Sequence, residues 1–586
     1  MSVQELKLKF KPGWKPELPV YIIAISAAAV ICILTVIIAW STFLQGMPGA
    51  GDKVTLENYT DVFLNPMTAT AAQNTLFLAL GTVIVAVFFA VPSTWLLHRT
   101  TMPLKKFFLV LMFLHILVPG FIRVIGWIML LSPNIGIVNQ FIRFFLPQES
   151  GPLSPYNVLF MAILQGLTLT PSIFFMLAGA FLAVDPSLEE CSEICGASKL
   201  QSFRRIMLPL VMPALVAGSI YVFLTAASMF EIAALLGAPY QIQVFSTLMY
   251  SAMQAEFGLP QYGIAGVYGL LMLLPMLLIL RYYQNILKLS YRYATVTGKG
   301  YRPKLTELGR WRWAAVGFVG FYFLIDLFLP LLAVLWSSFL SFIQLPSLAA
   351  LQTLTWRGYA SAFRLLGRGG IVLNTIELML LVGIFSAVIS LALSWIVVRT
   401  RLPGRFALDT ASMLPLAVPG VAIGLAVLVV SLLLVKTVPF LYGSVAVIAI
   451  AETMRRIPFS SRTMNSSLIQ IHPELEEAVQ MSGGSRMTGI KAVIIPLITP
   501  ALFYSFMMAV LHAYREVTLP LFLQGPNNMV ISTAIWQLWR VNDTATTSAT
   551  AIIMMLGMGI LVSILLKAFP ELFGETKGHR GRGTSD

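Results

Sequence analysis

A polytopic, all-helical membrane protein built of two homologous halves is the fold this sequence predicts, and three observations carry that reading. Hydrophobic residues make up 58% of the chain and charged residues only 11%, where a soluble protein carries roughly a quarter charged. Continuous apolar runs of about 20 residues, enough to cross a bilayer as helix, recur along the whole length. The runs do not alternate with period two, which argues against a β-barrel. The same short motifs also occur twice, in the same order.

Twelve spans are placed at 18–44, 73–97, 107–131, 156–184, 210–235, 262–287, 312–342, 372–398, 409–435, 443–470, 497–523 and 545–567. With the N-terminus inside, Lys and Arg concentrate in the cytoplasmic segments, among them Lys7, Lys9, Lys11 and Lys15. The net charge of +14 then reports orientation and not a nucleic-acid partner. The first span is too long for a signal-peptide core. Both tails, 1–17 and 568–586, are expected in the cytoplasm. The basic segment 288–311, with Arg292, Lys299, Arg302, Lys304 and Arg310, reads as a cytoplasmic linker between six-span units at 18–287 and 312–567.

The repeat is explicit. Asn74-Thr75, Arg99-Thr100 and Pro119-Gly120 recur 300 residues later as Asn374-Thr375, Arg399-Thr400 and Pro419-Gly420. Pro171, Pro186 and Pro209 recur 287 residues later as Pro458, Pro473 and Pro496. The change of offset fits a longer external loop in the first half, Ser132 to Pro155. Each half has an even number of spans, so the repeat is parallel, about a pseudo-twofold axis along the membrane normal. The tenth span is interrupted by Glu452, Arg455, Arg456 and Arg462, and is extended to 470 because the repeat aligns it with the fourth.

The segments between the fourth and fifth spans of each half carry the strongest signal. One reads Leu188-Glu-Glu-Cys-Ser-Glu-Ile-Cys-Gly196-Ala and continues to Ile206-Met-Leu-Pro209. The other reads Leu475-Glu-Glu-Ala-Val-Gln-Met-Ser-Gly483-Gly and continues to Val493-Ile-Ile-Pro496. Glu190 and Glu477 stand six residues before a glycine, and a proline follows that glycine by thirteen. Asp185-Pro186 and His472-Pro473 are helix-start signals. Each copy reads as a short helix, a glycine that permits a sharp turn, a second short helix, and a proline at the entry to the next span. Two such knobs at equivalent points suit a symmetric partner. Cys191 and Cys195 read as small reduced residues on a packed helix, not as a metal site.

These copies resemble the Glu-Ala-Ala loops of the permeases of binding-protein-dependent ABC importers. Glu477, Ala478, Gly483 and Pro496 match that loop in the second half, and Glu190, Gly196 and Pro209 in the first. Cys191-Ser192 replace the two alanines in the first copy, and Val479 the last alanine in the second. The resemblance implies a type I ABC importer permease fold in a bacterial inner membrane. It implies coupling helices that dock on two ATPase subunits, and an extracytoplasmic solute-binding protein that delivers cargo. The chain has no G-x-x-x-x-G-K-[ST] phosphate loop, so ATP would be bound by the partner, with no cofactor here. His98, His115, His472, His512 and His579 show no triad or metal spacing, and the chain reads as no enzyme.

Ionisable residues at membrane depth are functional candidates by default. Arg123, Glu231, Arg455, Arg456, Arg515 and Glu516 are the candidates for the translocation path, with Glu452 and Arg462 beside them. A salt bridge between Glu452 and Arg455 or Arg456 on one helix face is the structural alternative. Asp326 and Glu377 are expected near span ends, solvated at the interface. The tract from Arg455 to Glu477, with Tyr514-Arg515-Glu516, resembles the fused double permeases for ferric iron, thiamine or aminoethylphosphonate. Ferric iron is taken first because such systems are common. An arginine-rich interior disfavours polyamines. A secondary transporter or a membrane scaffold is the alternative of another class.

Overall fold

The computed structural model describes residues 18–49, 53–146, 151–254, 259–290, 305–400, 402–472, 474–483 and 490–568. The expected tails, most of the basic linker and Pro473 therefore lie outside the described residues. Among the described residues, the regular structure is helical apart from a two-residue antiparallel pairing of Leu44–Gln45 with Lys53–Val54 and an isolated bridge between Thr100 and Thr306.

The first half contains α1 (Leu18–Ser41), α2 (Pro66–Arg99), α3 (Lys105–Leu117), α4 (Gly120–Leu131), α5 (Val158–Ala183), α6 (Pro186–Ile194), α7 (Phe203–Ala227), α8 (Phe245–Met253) and α9 (Tyr262–Ser290). The second contains α10 (Gly309–Ser337), α11 (Ile371–Arg399), α12 (Arg405–Leu416), α13 (Gly420–Leu433), α14 (Val445–Gln470), α15 (Glu474–Met481), α16 (Ala492–Arg515), α17 (Ile531–Arg540) and α18 (Thr544–Ala568). Nine of the described helices are long and apolar enough to cross a membrane. The tenth expected span, α14, is a continuous helix despite its charges.

The third and ninth spans are not straight crossings. Each is a helix pair, α3 with α4 bent by 96° and α12 with α13 bent by 106°. The bends fall at Pro119-Gly120 and Pro419-Gly420, where proline supplies no N–H and disfavours helix in the residue before it. The fifth and eleventh spans also end earlier than expected, at Ala227 and Arg515. Such breaks are tolerated at membrane depth only where protein or a cavity surrounds them.

The first span of each half packs on the other half. Helix α1 lies against α11, α12 and α13 as well as α9, and α10 lies against α2 and α4 as well as α18. Within each half the tightest packing joins α2 to α5 and α11 to α14.

Contacts made by the repeated dipeptides explain their recurrence. Asn74 Nδ2 donates to the Gln243 carbonyl at 2.9 Å, and Asn374 Nδ2 to that of Met529 at 3.0 Å. Thr75 Oγ1 accepts from the Phe245 N–H at 3.2 Å, and Thr375 Oγ1 from that of Ile531 at 3.1 Å. Both pairs therefore hold the N-terminus of a short helix, α8 or α17, where backbone N–H groups lack helical partners. Arg99 and Arg399 likewise reach the carbonyls of Val184 and Ile471, at 2.6 and 2.8 Å.

Candidate functional site: two knobs and a charged layer

Each knob begins where a long helix stops. Helix α5 ends at Ala183, and the Asp185 carboxylate accepts from the Ser187 N–H at 2.9 Å, capping α6 with Pro186 in its first position. The Ser187 hydrogen bonds, backbone first, hold the Asp185 carboxyl below its ordinary value. Gly196 follows α6 at φ +85° and Gly483 follows α15 at φ +82°, a left-handed conformation that other residues adopt at a cost. Nothing stands within 4 Å of where a Cβ would lie on either glycine. The turns therefore need glycine for their backbone, not for space.

The element after the first turn is not a separate helix. Lys199–Ser202 runs directly into a π turn at Phe203–Met207 and on into the fifth span. Pro209 lies inside this continuous helix, and Pro496 occupies the equivalent place after the π turn at Ile490–Ile494. A proline cannot donate to the carbonyl four residues back. The backbone widens in response: the Leu208 N–H donates to the Phe203 carbonyl, five residues earlier.

The knobs expose apolar side chains at matched positions. Leu188 and Ile194 are 38% and 85% exposed, and their repeat equivalents Leu475 and Met481 are 45% and 89% exposed. Cys191 and Cys195 are free thiols, exposed and not packed as expected. Glu190 is half-buried on α6, and Ala478 is exposed on α15. Glu477 belongs to α15, but its side chain lies outside the described residues.

The charged candidates divide into separate groups. Around α14, Arg455 donates to Glu516 at 2.9 Å, while Arg456 donates to Glu452 at 3.0 Å and to Glu516 at 3.4 Å. Glu452 is fully buried. This network spans α14 and the break after α16. Arg462 is 50% exposed at its side chain and pairs with Asp409 on α12 at 3.1 Å, away from the network.

The broken spans face charges of opposite sign. A Cβ on Gly120 would lie 3.5 Å from the Glu231 carboxylate, and one on Gly420 would lie 3.2 Å from the Arg455 guanidinium. Arg515, at the end of α16, donates to the Ile116 carbonyl at the end of α3. The breaks after α7 and α16 thus carry Glu231, Arg515 and Glu516, and those after α3 and α12 face Glu231, Arg515 and, from α14, Arg455.

Arg123 belongs elsewhere. It is 3% exposed and donates to Asp326 of α10 at 2.6 Å and to His115 at 2.7 Å. His115 also contacts Asp326. Tyr322 donates to the Leu167 carbonyl at 3.0 Å. Asp326 is therefore not solvated at an interface; it is 1% exposed and joins the two halves. Its place near the middle of the expected 312–342 span was the available signal. Glu377 is exposed on α11, two turns from its start.

Residues 65–293 match the family of binding-protein-dependent transport system inner membrane components. The chain is 27% identical over 511 residues to the ferric transport system permease protein FbpB of Actinobacillus pleuropneumoniae, covering 86% of this chain and 70% of that protein. It is 28% identical over 459 residues to the putative ferric transport system permease protein FbpB 1 of Haemophilus influenzae, covering 76% and 68%. A spermidine/putrescine permease of Haemophilus influenzae, PotB, is 29% identical over 40% of this chain and 80% of its own length. A crystal structure of a bacterial ABC transporter involved in the import of alginate overlays 45% of this chain and 95% of its own, at a TM-score of 0.37 and 19% identity.

The chain is a transmembrane permease of the binding-protein-dependent ABC importer class, a multi-pass inner-membrane protein. It is of the fused double type, with both homologous halves in one polypeptide.

Proposed function

We propose that this permease moves ferric iron, handed over by an extracytoplasmic binding protein, through the layer where its broken helices meet. Two ATPase subunits, one on each knob, would supply the energy, with the knobs and both termini in the cytoplasm. The chain itself would hydrolyse nothing. The matched exposure of Leu188 and Ile194 on one knob and Leu475 and Met481 on the other carries this reading. Apolar side chains presented twice, beside glycine turns with open space around them, suit one partner surface used twice.

Ferric cargo is supported by the ferric transport permeases that resemble most of the chain. The polyamine permease resembles two fifths of it. The interior arginines do not by themselves disfavour polyamines, because Arg455 and Arg456 are paired with Glu516 and Glu452. Aminoethylphosphonate and thiamine remain alternatives on the motif resemblance alone. Uptake of radiolabelled ferric ion into vesicles holding the complete transporter, competed with each alternative, decides among them.

A further inference from the structure

We propose that Arg99 and Arg399 are positioning residues that transmit movement of each knob to the helices of its half. This rests on the reading of the knobs as ATPase docking elements.

Each arginine ends the second span of its half and reaches far along the chain to the joint between a long helix and a knob. Arg99 is 3% exposed and donates at 2.6 Å to the carbonyl of Val184. Val184 stands between α5 and Asp185, the cap of α6. Arg399 donates at 2.9 Å to the carbonyl of Leu468 and at 2.8 Å to that of Ile471; Ile471 directly follows α14 as its C-cap, and α15 begins at Glu474. These carbonyls lie at helix C-termini, where acceptors lack helical donors and positive charge is favoured.

Only Asp185 separates Val184 from α6, and both knobs carry exposed apolar side chains. A push on a knob therefore reaches the body through its joint. The arginine fastens that joint to α2 or α11, the helices most closely packed with α5 and α14. In the first half the arginine is itself braced. The Thr306 N–H donates to the Arg99 carbonyl at 2.8 Å, and the Thr306 carbonyl accepts from Thr101 at 3.0 Å.

The test measures ATP hydrolysis and ferric ion uptake together, in vesicles holding the chain with its co-purifying ATPase and binding protein. Arg99→Met and Arg399→Met should assemble and hydrolyse ATP, while uptake per ATP falls about tenfold, within the range reported for residues that carry coupling. Arg99→Lys and Arg399→Lys, which keep a cationic donor, should fall between these and the wild type. Wild-type uptake per ATP in the methionine variants overturns the proposal. Should those variants fail to insert, the lysine variants decide: a reduced ratio supports the proposal and an unchanged one overturns it. Ile194→Asp with Met481→Asp serves as the second arm. If that variant still binds ATPase and transports, the docking reading itself has failed, and the proposal with it. If it loses the ATPase while the methionine variants stay fully coupled, only the positioning role is overturned.

Discussion

The guanidinium of Arg515 donates to the main-chain carbonyl of Ile116, which precedes it by 399 residues. That carbonyl is available because α3 stops at Leu117, so the helical donor expected four residues on is turned away by the bend. One half thus satisfies the broken backbone of the other. Arg515→Ala should leave this acceptor without its donor, at a cost of about 1–3 kcal/mol. Ferric ion uptake should fall while ATPase association persists. Uptake and co-purification measured on the same membranes check this; a variant that never reaches the membrane would make Arg515 a folding residue.

Asp326 and Arg123 tie α10 to α4 within the protein interior. Removing one member of a buried pair strands the other, typically at 3–5 kcal/mol, whereas replacing both by apolar residues is often neutral. Asp326→Leu should therefore lower the unfolding temperature in detergent, and Asp326→Leu with Arg123→Leu should recover most of the loss. Equal melting of the single and double variants would show that the pair is not coupled.

Glu516 accepts from both Arg455 and Arg456, and Glu452 from Arg456 alone. Glu516→Gln should release two guanidinium groups toward the layer at the helix breaks and impair uptake more than Asp409→Asn, which affects only the outlying Arg462 pair. Uptake rates at matched membrane abundance are the readout.

Gly483→Arg imposes a left-handed backbone on a residue with a side chain, a penalty of roughly 1–2 kcal/mol. With open space around the turn, the chain should still insert. ATPase binding and transport should be lost, and retained uptake would remove this loop from the coupling role.

Much of the architecture was legible because hydropathy and exact repetition are written in the residues themselves. The knobs were readable for the same reason: glycine, proline and acid at fixed spacing specify a turn between helices. The bends at Pro119 and Pro419 were not, since apolar residues continue on both sides and a hydropathy run carries no direction. The early ends of α7 and α16 were hidden likewise by Phe230, Ile232 and Leu519, which stay buried after the helix stops. The exchange of α1 and α10 between halves depends on packing partners far apart in sequence. The Asp326 pairing with Arg123 needed that exchange to be known.

Purifying the tagged chain from native membranes in mild detergent, then assaying ferric ion uptake in vesicles, tests the central claim most directly. The account predicts a stoichiometric ATPase subunit and uptake that requires both ATP and an added binding protein. A chain that purifies alone and drives uptake from an ion gradient without ATP would contradict it.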